Sequence, residues 1–314
     1  MLNNVLLLKL FSLFIHSKCE PIDASCVFCP LILMKPLPIT LLALSVIFFV
    51  LNFINYDINQ NYPEGAVTIK EEFDPALGRL NTLKKLTSYV DSNSAIQNIK
   101  HGSLEYAIEA NNIVQKRFYH GYSTFSLNEN WIASVLEKCS WIYFSSRVKP
   151  DDILEKPYAF CSQQATVLME LLQSKNLDCR AVKWPGHFTM QCRIDGKWNY
   201  FDPNLEPDIL PEQRSNEKWL VNRDSLAVAY KKVTAIKEQY GYKNNFIDST
   251  FGNPIKVEYG EINVVQAPYT RLSQKITRPL SKIAFIFPLL LFVYLKRRNG
   301  KSKNPAKELM VKNK

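Results

Sequence analysis

Histidine is scarce in this chain, with four among 314 residues: His16, His101, His120 and His187. The first three have no partner at ligand spacing, so no metal centre is expected. Glycine is also sparse, at ten residues, and no internal repeat or low-complexity tract occurs, which excludes fibrous and disordered classes. No Gly-rich phosphate loop and no interleaved basic and aromatic stripe is present, so nucleotide and nucleic-acid binding have no support. The seven cysteines form no even, dense disulfide framework. Cys26 and Cys29 have a zinc-like spacing, but no second pair or ligand histidine follows.

Apolar residues, by contrast, are abundant at 46%, with aromatics at 12%, ample for a packed core. The net charge of +10 is concentrated at one end. Residues 296–314 hold eight Lys and Arg against the single acid Glu308, so most of the excess is a tail. A basic run beside an apolar segment marks a cytoplasmic membrane flank.

Two apolar segments suggest membrane spans. Residues 37–54 read LPITLLALSVIFFVLNFI, without a charge or a polar stripe, and nearly match a hydrocarbon core of ~30 Å. The second, 280–295, is shorter and contains Lys282, whose stem can snorkel, and Pro288, tolerable in lipid. A docked or amphipathic C-terminal helix is the alternative there. The Lys and Arg balance places both ends inside and residues 56–278 outside. Residues 1–36 form an N-terminal extension without a clear cleavage site, and Met34-Lys35-Pro36 resembles a natural start, which leads us to expect translation from Met34.

Between the spans, Pro63, Gly65, Pro75 and Gly78 predict a stalk over 55–78, and a folded extracytoplasmic domain over 79–278. Apolar spacing predicts helices over 80–90, 103–119 and 131–144, the last opened by the capping box Ser126-Leu127-Asn128-Glu129. A helix from Cys161 then feeds strands over 179–184, 187–194 and 197–201, and a further helix is expected over 219–240. Helices followed by an antiparallel sheet make an α+β fold.

Cys161 opens its helix, where unpaired first-turn N–H groups favour a thiolate. Alone, it is more often a small buried thiol. The Asp195-Gly196 turn adds a register. If it is a two-residue turn, Ile194 faces Lys197 and Thr189 faces Asp202. His187 and Asp202 then lie diagonally on one face, ~7–8 Å apart by backbone and within side-chain reach. A carboxylate on one imidazole nitrogen fixes the tautomer and frees the other for a thiol. Phe188, Met190, Cys192, Ile194 and Phe201 fall on the opposite, core side. Cys179 and Cys192, on sequential strands, are candidates for a disulfide.

The core 158–207 resembles the transglutaminase-like superfamily. The likeness rests on helix-opening Cys161, His187 starting a strand after a short loop, and Asp202-Pro203 closing a hairpin, with Trp198 and Tyr200 before it. The resemblance implies a papain-like core and a thiol mechanism. Cys161 attacks a peptide or isopeptide amide, His187 carries the proton and Asp202 orients His187, with no cofactor. The acyl-enzyme passes to water, as in a peptidase or amidase, or to an amine, as in a transglutaminase. Papain-like enzymes often place an oxyanion-stabilising Gln ahead of the nucleophile, and Glu155-Lys156-Pro157-Tyr158 stands there instead. That leaves the Cys161 N–H, with Trp131 or Trp141 by position. A catalytically silent binding or scaffolding module at the cell envelope is the alternative function.

Overall fold

The computed structural model describes residues 37–59, 72–139, 143–215, 223–233, 246–252 and 256–301. The expectations for residues 1–36, for the middle of the 55–78 segment, for Trp141 and for most of the basic tail lie outside the described residues. The described residues fall into two compact units: a body within 48–284, and a terminal unit of 37–47 with 285–301.

The first apolar run folds as α1, Leu37–Leu51. In the body, α2 (Leu83–Ile96) and α3 (Leu104–Arg117) begin where Thr82 and Ser103 accept the N–H of Lys85 and Tyr106. These caps satisfy first-turn donors, and the buried stripes Leu86/Val90 and Ala107/Ala110/Val114 join one core. Helix α4 spans Leu127–Cys139 and is kinked at non-helical Asn130 (φ −158°, ψ 71°), so that a short first turn precedes the run that begins at Trp131, the expected position; the helix does not include Phe144. At its start the Glu129 carboxylate accepts the Ser126 N–H at 2.8 Å, one half of the expected capping box.

The segment read as a stalk is tied to the body wherever it is described. Ile54 and Tyr56 carbonyls accept the N–H groups of Asn128 and Leu127, and the Asp74 N–H donates to Lys116 O. Thr124 Oγ1 donates to Asp57, and Asn59 Nδ2 donates to Ser134 O at 2.9 Å. Pro75–Arg79 forms a 3-10 helix capped by Asp74, and the irregular backbone at 54–59 finds its hydrogen-bond partners in the body.

The two-residue strands β1 (Tyr119–His120) and β2 (Tyr158–Ala159) pair in parallel, with the short helix α5 (Pro150–Leu154) between them in sequence. After β2 comes α6, Cys161–Gln173. Strands β3 (Asp178–Trp184), β4 (His187–Ile194) and β5 (Lys197–Phe201) form an antiparallel meander. Ile194 faces Lys197 and Met190 faces Phe201, the register that the sequence predicts. Asp195 and Gly196 both take positive φ, at 49° and 77°, the mirror-image turn that matches strand twist.

One sheet face carries Ala181, Met190, Cys192, Ile194 and Phe201 against α6, α2 and α3. The other carries Val182, Trp184 and Tyr200 against α7 (Arg223–Lys232) and α8 (Phe246–Phe251). The fold is therefore α+β, with the sheet covered on both faces. The strand β6 (Glu258–Tyr259) extends the sheet in the order β5-β4-β3-β6.

Cys179 and Cys192 face each other across β3 and β4 and form a buried disulfide. Replacing both by serine is expected to lower stability by about 3 kcal/mol, as for other loops of comparable length. The urea midpoint of the double variant, compared with that of disulfide-bonded wild type under non-reducing conditions, measures this.

Helix α9, Pro268–Ile283, packs on α4, and α10, Ile286–Lys301, follows in the terminal unit. The segment 280–295 is thus not one helix but is interrupted at Ala284 and Phe285. Among the described residues no single helix is long and apolar enough to cross a membrane, although α9 and α10 pass that test as an interrupted pair. Within the terminal unit Ser45 Oγ donates to Phe285 O at 2.8 Å.

Candidate active site

The start of α6 is held from both sides by one side chain. Gln163 Oε1 accepts the N–H of Phe160 at 3.0 Å and of Ser123 at 3.1 Å. Its Nε2 donates to Ser123 O at 2.7 Å and Arg147 O at 2.9 Å. Phe160, extended at φ −72° and ψ 164°, ends the approach to the helix, and Cys161 takes the first helical position. Cys161 is a free, half-buried thiol beside N–H groups that have no intrahelical acceptor.

His187 is the first residue of β4 because Pro185 and Gly186 reverse the chain, with Gly186 at φ +73° and Trp184 facing His187. Asp202 directly follows β5. The diagonal arrangement puts His187 Nε2 2.6 Å from Asp202 Oδ2, with both side chains buried. An ionised carboxylate only accepts, so Nε2 carries the proton of this bond and Nδ1 is the nitrogen left for other chemistry. Cys161 lies close enough to the same imidazole to influence its titration. The structure thus brings the three expected residues together, from a helix start, a strand start and a strand end.

Electrostatics hold the His187–Asp202 pair in a defined ionic state. Burial alone would depress His187, but the Asp202 charge, followed by the Cys161 charge and the hydrogen bonds to both, raises it to about 10. Burial likewise pushes Asp202 up, yet His187, Tyr230 and the Leu205 N–H together bring it below the usual carboxylate range. Asp202 Oδ1 accepts the N–H of Asn204 at 3.1 Å and of Leu205 at 3.0 Å. Tyr230 Oη donates to Asp202 Oδ2 at 2.7 Å and lies 2.6 Å from Tyr200 Oη. The Asp202 N–H donates to Glu206, which pairs with Arg214.

A pH dependence of stability follows from these shifts. A raised His187 contributes stability that is complete below its unfolded value of ~6.5 and lost as pH climbs through about 10. A lowered Asp202 contributes stability present above ~3.9 and lost as pH falls through its folded value. Urea midpoints of wild type should therefore decline from about pH 7 to pH 10, and the His187→Gln variant should lack most of that decline.

Several residues beside the site were invisible to sequence reasoning. His120, set aside for want of a partner, lies across from Ala159 in the β1–β2 pair and packs on the Phe160 ring with centroids 5.1 Å apart. Its Nδ1 is 2.8 Å from Asn204 Oδ1, which also accepts Gln164 Nε2 at 3.2 Å. Burial, the largest influence, lowers the His120 pKa, and the nearby His187 charge acts in the same direction. Two-residue strands leave no periodicity to read, so this placement had no sequence signal. Tyr230 and Tyr200 sit on separate elements, and only the Tyr200 position beside Asp202 carried a hint.

One positional candidate is removed. Trp131 Nε1 donates to Ser281 O at 2.9 Å, so its N–H is engaged with α9 and is unavailable as an oxyanion donor. Among the described residues no group of three or more His, Cys, Asp or Glu could hold a metal ion. Comparison with family models, curated proteins and solved structures finds no match for the chain.

Proposed function

We propose that the chain is a membrane-anchored thiol acyl-transfer enzyme with a transglutaminase-like, papain-like core. The observation that carries this reading is the buried His187–Asp202 bond of 2.6 Å on an imidazole that also interacts with Cys161. In this reading Cys161 Sγ attacks the carbonyl carbon of a peptide or isopeptide amide. His187, protonated beside the sulfur, delivers its proton to the departing nitrogen, so the C–N bond breaks as the thioester forms. Water or an amine then gives a proton to His187 and attacks the thioester, and the thiolate leaves. Asp202 holds the ring and stabilises its charge throughout.

The Cys161 N–H, at the positive end of α6, is the donor proposed for the developing oxyanion. The disulfide supports an extracytoplasmic location for the body, since such bonds persist in oxidising compartments. The apolar helices α1 and α10 are the proposed anchors, with the basic tail on the cytoplasmic side.

Mass spectrometry of cell-envelope peptides from cells making wild type or Cys161→Ala tests the reading. New free termini that require Cys161 indicate hydrolysis, and new cross-links indicate amine transfer. Identical peptide sets would favour the scaffolding alternative.

A further inference from the structure

Helix α9 is built inside out. A surface helix of a globular protein normally turns its apolar stripe to the core and its polar face to water. In α9 the face packed on the body is polar: Gln274, Thr277 and Ser281 are buried. Gln274 Nε2 donates to Phe144 O at 3.1 Å and Ser146 O at 2.7 Å. Asn130 Nδ2 donates to Thr277 Oγ1 at 3.0 Å, and Ser281 Oγ donates to Asn130 Oδ1 at 3.1 Å. The apolar residues point outward, with Tyr269 86%, Leu272 59% and Ile276 58% exposed. With Ile283 they recur at the spacing of a single helical stripe.

A third sector of α9 is basic. Arg271, Lys275, Arg278 and Lys282 follow one another along the helix, and it contains no acid. Arg271 pairs with Glu170 and Arg278 with Asp152 at 2.8 Å, which fasten the helix to the body, while Lys275 is exposed. Just upstream, Ile262, Val264 and Val265 are exposed as well. Two residues downstream the chain enters the apolar start of α10.

We infer that α9 is an in-plane helix of an anionic membrane surface, with Tyr269, Leu272 and Ile276 in the acyl boundary and Lys275 among the headgroups. Three sectors (polar to the body, apolar to lipid, basic to phosphate) match the requirements of an interfacial helix. Chain continuity with α10 favours lipid over a protein partner. The pairs to Glu170 and Asp152 keep α9 on the body, so it cannot serve as half of a span. Through Glu170 on α6 and the Gln274–Ser146 contact, the bilayer would fix the height of the Cys161 helix above the lipid. The inference takes from the proposed function only that the chain is membrane-anchored, and is independent of its chemistry.

The test uses the full chain with its free cysteines replaced by serine, reconstituted in phosphatidylglycerol and phosphatidylcholine vesicles. A single cysteine at Leu272, Ile276 or Ile96 carries an environment-sensitive dye, and the acyl chains are brominated. The expected result is at least threefold stronger quenching at Leu272→Cys and Ile276→Cys than at Ile96→Cys, an exposed position on α2. Vesicle flotation in the same samples reports anchorage separately. Dyes at 272 and 276 that are shielded from water but not quenched would mean a protein covers this face. Equal quenching at all three positions in floated samples would also overturn the inference.

Discussion

Cys161→Ala is expected to lower the rate by about 10⁴-fold or more, in whichever assay wild type is active, peptide release or amine incorporation. Alanine keeps the helix start, because Phe160 and the Gln163 clamp use backbone atoms and the Gln163 amide. The core contribution of α6 comes from Val167, Leu168, Leu171 and Leu172, none of which is touched. Stability should therefore change little while turnover collapses. Cys161→Ser is expected to fail nearly as badly. A hydroxyl is a far weaker nucleophile than a thiol, and the raised His187 already holds its proton, which leaves no base to activate a serine. A protein that merely binds a partner would show the opposite pattern, with both variants indistinguishable from wild type in binding and in envelope composition.

The second large effect is expected at Asp202. Asparagine at this position nearly preserves shape but presents an amide where His187 Nε2 donates, and it cannot balance an imidazolium. The ring would lose both its fixed tautomer and its charge partner, and a loss of about 10⁴-fold in kcat is expected. Tyr230→Phe provides the contrast. It removes one of the four hydrogen bonds received by the Asp202 carboxylate, from His187, Tyr230, Asn204 and Leu205, and leaves the other three. A hydrogen bond to a charged group is worth about 1.5–3 kcal/mol, so a drop of roughly ten- to hundredfold is expected. Steady-state kinetics that separate kcat from KM distinguish the two, because both losses should fall on kcat. Equal, small effects for both variants would mean that Asp202 is a structural carboxylate.

The site was legible wherever a short local rule decided geometry. Asp195-Gly196 dictates a tight turn, the turn dictates the register, and the register puts His187 and Asp202 on one face. The side of the sheet that holds Met190, Cys192 and Phe201 followed from the same alternation. The α+β class was legible for a similar reason, since the change from helical to alternating periodicity falls between Gln173 and Asp178. The surroundings were not legible, because they depend on contacts between distant segments. Tyr230 reaches Asp202 from 28 positions away, and His120 reaches Asn204 from 84. No spacing rule spans such distances. The apolar stripe of α9 illustrates a different difficulty. Its period is visible in the sequence, but periodicity reports that a helix has two faces and not which of them meets the protein.

Exposure also sets up the most direct test of the central claim, that the Cys161 sulfur faces an imidazole steadied by Asp202. Cys139 is exposed and Cys161 only half-buried, so accessibility alone would make Cys139 the faster to react. Iodoacetamide labelling at pH 6, followed by peptide mapping over time, ranks the two thiols. The account requires Cys161 to be labelled faster in wild type and to lose that advantage in His187→Ala. Faster labelling of Cys139 in wild type, or an unchanged Cys161 rate without His187, would contradict it.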